Sequence, residues 1–157
     1  MKLKTAYLGI FATVAIILGY VESFFPFPPP YKLGLANLSV LFILKKYSFR
    51  EAALVSFVRI LVIGFLFGNM FGILYSLAGA ALSLCVMSLL LHFTDLSLIS
   101  VSVAGGVFHN LGQMAVAAFV VRSGSVFLIF PTLMITGILA GILIGWLTQE
   151  VSARVHF

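Results

Sequence analysis

Four side chains able to hold a polar ligand lie where the surrounding sequence is almost wholly apolar: Arg59, and the trio His109, Asn110 and Gln113 within GGVFHNLGQM, Gly105 to Met114. Arg59 lies eight residues past Glu51 and eight before Phe67, at the middle of its apolar segment. His109 is also about half-way along its segment, so the four groups share a depth. At ~100° per residue, Ser102, Gly105, Gly106, His109, Gly112 and Gln113 fall within about one third of a helix circumference, opposite Val103, Val107, Leu111 and Met114. An unpartnered imidazole or amide in hydrocarbon costs several kcal/mol, so this face must look at protein or at a cavity. Asn110, at its edge, is placed to bridge to a neighbouring helix.

The chemistry of such a cluster is binding. Arg59 is too deep to snorkel and needs a partner. The four acids, Glu22, Glu51, Asp95 and Glu150, all fall near segment ends, so none is an obvious mate at mid-depth. Two alternatives stay open: backbone carbonyls and the Asn and Gln amides hold Arg59, or it awaits an anionic ligand. Lys32 and Asn37, before and at the start of the second apolar segment, and Glu22, ending the first, outline a mouth for that ligand. Catalysis finds less support. There is no G-x-x-x-x-G-K-[ST] phosphate loop, and with a single aspartate no Asp-rich pair to hold magnesium and a diphosphate. His92 and His156 are isolated, so no metal site is expected, and no Ser-His-Asp set can be drawn. The reading is of a protein that is not an enzyme and needs no cofactor.

The elements that position these groups follow from composition. The chain has 157 residues, 62% hydrophobic and 8% charged, with a mean hydropathy of +1.24. A soluble domain of that size could not hide so much apolar side chain, so the fold is read as all-α: a polytopic membrane bundle forming one domain over residues 1–157. Six apolar segments are separable: Thr5–Val21, Leu33–Leu44, Glu51–Phe67, Met70–Leu91, Ile99–Val121 and Val126–Thr148. The second is too short to cross ~30 Å of hydrocarbon and is expected as a short or tilted helix. The first follows Lys2 and Lys4 but lacks a small-residue cleavage site, so it reads as a retained helix.

The net charge of +5 reflects basic residues at segment ends, which set topology and touch lipid headgroups, and no nucleic-acid partner is expected. Lys2, Lys4, Lys45, Lys46, Arg50 and Arg154 collect on one side against Lys32 and Arg122 on the other, which places both termini in the cytoplasm of a cell-membrane protein. Cys85 is the only cysteine, which excludes disulfide and zinc frameworks. Between the first two segments Phe24, Phe25, Pro26, Phe27, Pro28, Pro29, Pro30 and Tyr31 form a stiff aromatic stretch, suited to a lid or to an interfacial anchor. Small residues recur at packing intervals: Gly72, Ser76, Gly79 and Ser83; Gly137, Gly141 and Gly145; and Ala12, Ala15 and Gly19. The first two sets read as packing within the bundle. The third leaves docking to a partner subunit open.

The runs Lys32-Leu-Gly-Leu-Ala-Asn37, Arg50-Glu51-Ala leading to Arg59, Tyr75-Ser-Leu-Ala-Gly79 and Ser102-Val-Ala-Gly-Gly-Val-Phe-His-Asn-Leu-Gly-Gln113 resemble the Gx transporter family, also labelled heptaprenyl diphosphate synthase component I. The resemblance covers nearly the whole chain. It implies a six-helix bundle similar to the substrate-binding S components of energy-coupling factor transporters, which bind a vitamin or related small molecule. Such subunits work with a transmembrane coupling subunit and cytoplasmic ATPases, and by that analogy Ala12, Ala15 and Gly19 are the docking residues. The synthase label implies instead an accessory membrane subunit beside a polyprenyl synthase, since the acids of a prenyl synthase are missing. On the transport reading, Arg59, His109, Asn110, Gln113, Asn37 and Lys32 hold an anionic, vitamin-like or isoprenoid-related molecule.

Overall fold

A computed structural model describes residues 2–24 and 34–154, with side chains from Thr5 onward. Its six α-helices are α1 (Lys2–Ser23), α2 (Asn37–Lys46), α3 (Phe49–Phe67), α4 (Met70–Phe93), α5 (Leu98–Val121) and α6 (Phe130–Arg154), with a 3-10 turn at Gly124–Ile129 before α6. Four stretches are long and apolar enough to cross a membrane, in α1, α4, α5 and the 3-10 turn with α6. The 19 residues of α3 span ~28 Å, close to a hydrocarbon core. Arg50, Glu51 and Arg59 make it more polar than the other long helices. The chain is an all-α membrane bundle.

Local chemistry sets the breaks. Gly34 adopts φ +68°, a left-handed conformation open to glycine at little cost, and the turn it starts delays α2 to Asn37. At the start of α3 the Ser48 hydroxyl donates to the Glu51 carboxylate, a side-chain contact that places the acid in the first turn, where the helix dipole favours it. Asn69 caps α4 by accepting from the Gly72 N–H at 2.8 Å. Ser97 does the same for α5 with the Ser100 N–H. The sixth apolar segment begins as the 3-10 turn and becomes α-helical only at Phe130, with Pro131 in the first turn, where a missing N–H costs nothing.

The helices close into a ring. Each of α1–α3, α3–α4, α4–α5, α5–α6, α6–α2 and α2–α1 is a packed pair, and α2 also touches α3 and α4 across the middle. At 10 residues, ~15 Å long, α2 cannot span the bilayer alone and instead plugs one half of the ring. Every residue from Ser39 to Leu44 is buried, and Phe42 and Ile43 have no exposed surface. The opposite pattern marks the outside, where Phe65, Phe119, Leu128, Leu139 and Trp146 are exposed, as lipid-facing side chains are.

Glycine brings the long helices together. A Cβ on Gly106 of α5 would stand 2.4 Å from the Gly137 carbonyl oxygen of α6, and one on Gly112 would stand 2.7 Å from the Ala78 oxygen of α4. Such backbone-to-backbone approach maximises dispersion contact where lipid supplies no hydrophobic drive. The expected glycine set on α6 packs on α5 throughout: Gly141 against Val103, Gly145 against Ile99.

Candidate functional site

The plug and the ring leave a cavity of about 390 Å³. It reaches from Glu22, Ser23 and Gly68 at the ends of α1 and α3 down to Met87, Ser102 and Ile144. Arg59, His109, Asn110, Gln113 and Asn37 all line it. Five of the six residues singled out from the sequence as ligand-binding thus meet in one space, though they come from α2, α3 and α5. The sixth, Lys32, lies outside the described residues, as do Phe25 to Tyr31 of the aromatic stretch. Phe24 is exposed.

Arg59 enters from α3 with part of its side chain open to the cavity. Its Nη2 donates to Asn37 Oδ1 at the head of α2, 3.3 Å away, while its Nε is buried and, among the described residues, has no acceptor. A guanidinium offers five N–H donors in a planar fork, and among the described residues only the bond to Asn37 draws on them. An acid does share the space. Glu22 lines the same cavity and attracts Arg59 electrostatically, which the sequence, placing Glu22 only near a segment end, did not reveal. Its Oε1 accepts the Gly34 N–H, and among the described residues no ion pair joins it to Arg59. Glu22, Gly34, Asn37 and Arg59 therefore form a chain of contacts around the mouth, since the Asn37 N–H also donates to the Gly34 carbonyl at 2.8 Å.

The face of α5 that carries the polar trio serves two neighbours and the cavity between them. Gly105 lies against Met87 of α4 and Gly106 against Gly137 of α6. A Cβ on Gly79 of α4 would meet the His109 carbonyl oxygen at 2.7 Å, His109 Nε2 at 3.0 Å and Gln113 Cγ at 2.9 Å. Gly79 is thus what lets the imidazole and the carboxamide lie flat beside α4 and still reach the cavity. Asn110 has a structural task as well: its Nδ2 donates to the Leu133 carbonyl of α6 at 2.7 Å, and a Cβ on Gly137 would crowd that amide at 2.9 Å. The bridge to a neighbouring helix expected of Asn110 is present.

Two further sets of residues stand differently from their sequence reading. On α4 Gly72, Ser76 and Ser83 line the cavity, while Gly79 and Ser83 also lie against α5, so that stripe is as much lining as packing surface. On α1 the small face points into the chain. Ala15 is fully buried, Ala12 packs on the same core, and a Cβ on Gly19 would stand 3.2 Å from Ile63 of α3. The α2–α3 side of the bundle covers Ala15, while Ala12 and Gly19, the other residues that the analogy with S components assigns to docking, are half-buried. The outward residues of α1 are Ile10, Val14, Ile17 and Val21.

What the arrangement can do is hold a small polar molecule. Its volume falls in the range of small-molecule sites, ~300–1,000 Å³. The lining combines a forked cation, a carboxylate, an imidazole, three carboxamides and serine hydroxyls on otherwise apolar helices. Neither a curated protein nor a solved structure matches the chain. A family model described as heptaprenyl diphosphate synthase component I matches residues 11–151, which takes in every helix that builds the cavity. The chain belongs to the heptaprenyl diphosphate synthase component I family.

Proposed function

We propose that this protein is a membrane-embedded binding subunit of the transport type, taking a small polar or anionic molecule into the cavity between its helices and performing no chemistry on it. The observation that carries the reading is Arg59, a buried cation whose Nε has no acceptor among the described residues and whose one hydrogen bond is a long one to Asn37. A charge left this way at mid-helix is costly unless something arrives to neutralise it. In this reading Arg59 takes the anionic group, His109, Gln113 and Asn37 orient the rest, and the Glu22 end is the entrance. A subunit without a nucleotide site needs partners to move its cargo, and a transmembrane coupling subunit with cytoplasmic ATPases would supply them, as for S components. Since the small face of α1 is used internally, such a partner would meet the outward aliphatic residues of that helix.

The family description favours a second reading: a non-catalytic membrane subunit that accompanies a polyprenyl diphosphate synthase. Lys45, Lys46 and Arg50, all exposed at one end of the bundle, are the basic surface such a partner would use. Gentle solubilisation of native membranes and identification of co-purifying chains separates the two. Transporter ATPases with a coupling subunit support the first reading; a synthase without them overturns it in favour of the second. Loss of binding in Arg59→Ala and His109→Ala variants that keep their helicity tests the site, and unchanged affinity in both would sink it.

A further inference from the structure

Among the described residues, the cavity carries one full charge of each sign. Of the side chains that line it, Arg59 and Glu22 are the two charged ones, and they do not form an ion pair with each other. Among the described residues each has one hydrogen bond that fixes it: Asn37 Oδ1 for the guanidinium, the Gly34 N–H for the carboxylate. The register between α1 and α3 follows from Gly19, whose position abuts Ile63. Both helices end at the same side of the bundle, where Tyr20 and Phe67 stack with ring centroids 4.8 Å apart. Glu22 is therefore almost one turn above the Gly19–Ile63 contact and Arg59 about one turn below it, a separation of about 10 Å along the bundle axis at ~1.5 Å per residue. The side chains shorten that gap to the reach of a small molecule.

A ligand that is only anionic would gain Arg59 but bring its charge into the same poorly screened space as the Glu22 carboxylate. One that is only cationic meets the reverse problem. A molecule carrying both charges satisfies both groups and moves no net charge into the bundle, which in a low-dielectric site decides between candidates of equal size. Resting on the proposal that Arg59 is the polar seat of a binding site, we infer that the ligand is a compact zwitterion of the α-amino-acid type, with its carboxylate on Arg59 and its ammonium on Glu22. Glu22 is then the specificity residue that rejects simple anions, and His109 and Gln113 face what lies between or beside the poles.

The test uses the full chain in lipid nanodiscs and a panel of free α-amino acids, each paired with its N-acetyl derivative, which lacks the cation, and its carboxamide, which lacks the anion. Thermal unfolding reports binding. At least one free amino acid is expected to raise the melting temperature at a concentration at least tenfold lower than either of its derivatives, and Glu22→Gln is expected to remove the preference over the N-acetyl form. The wild-type comparison stands even where that variant folds poorly. If an N-acetyl derivative stabilises the protein as well as its parent, the zwitterion assignment is wrong while Arg59 as an anion seat survives. The assignment is also overturned if no free amino acid binds. If binding of every probe is indifferent to Arg59→Ala, the failure is that of the site itself.

Discussion

At the scale of single residues, the polar groups of the cavity differ in how far they are committed to the protein. Asn110 is committed: its bond to the Leu133 carbonyl ties α5 to α6. Replacing it by Ala should lower stability by about 1 kcal/mol, the usual worth of such a bond. Denaturation in detergent checks this, and an unchanged midpoint would show that the bond contributes nothing. Arg59 is committed only through a long bond to Asn37, and the opposite outcome is expected there. Arg59→Met removes a buried, incompletely paired cation in exchange for an apolar chain of similar length. It should leave stability equal or higher while weakening anion binding by roughly tenfold or more, as loss of charge-assisted contacts does. A stability loss as large as the binding loss would mean that Arg59 is structural. Arg59, His109 and Gln113 were legible in the sequence because ionisable and amide groups in an apolar run have few tolerable places. Glu22 was legible only as a residue near the mouth. Its pairing with the cavity depends on how α1 sits against α3, and no spacing along the chain encodes that.

At the scale of the elements, glycine decides how close the helices come. Gly106→Ala and Gly137→Ala each place a methyl against backbone of the partner helix, and the backbone cannot rotate away as a side chain can. Both should lower the melting temperature clearly, with Gly106→Ala, whose Cβ would stand 2.4 Å from the Gly137 oxygen, the more severe. Gly9, whose Cβ would meet nothing within 4 Å, supplies the control. Gly9→Ala should be neutral or stabilising by up to about 1 kcal/mol, because alanine loses less backbone freedom in a helix. Equal effects at Gly9 and Gly106 would contradict the packing scheme. Helix number and the long segment limits could be read from hydropathy because each apolar run must cross or fill a bilayer-sized bundle. The beginning of α2 could not, since it depends on the left-handed turn at Gly34, nor could the 3-10 start of the last segment. The small face of α1 was legible as a packing stripe; which partner it packs on was not, and it proves to be α3 and α2 of the same chain. Small residues tell that something approaches closely and leave its identity to the tertiary fold.

At the scale of the whole molecule, the ring with its half-length plug explains why the cavity exists. Five helices of 19 to 25 residues enclose a space that the 10-residue α2 fills over only part of its depth. Six helices of alternating direction bring both ends of the chain to one side, and the positive-inside rule applied to Lys45, Lys46, Arg50 and Arg154 predicts that this side faces the cytoplasm. Reporter fusions to the two ends should therefore both be active inside and silent outside; an external reporter at either end would refute the topology. A binding site seated on Arg59 should show itself in native mass spectrometry of the wild-type chain and of Arg59→Ala, released in parallel from the same native membranes. A small polar molecule should be retained by the wild type and missing from the variant. The same molecule retained by both would contradict such a site, as would a wild-type chain released with its cavity empty.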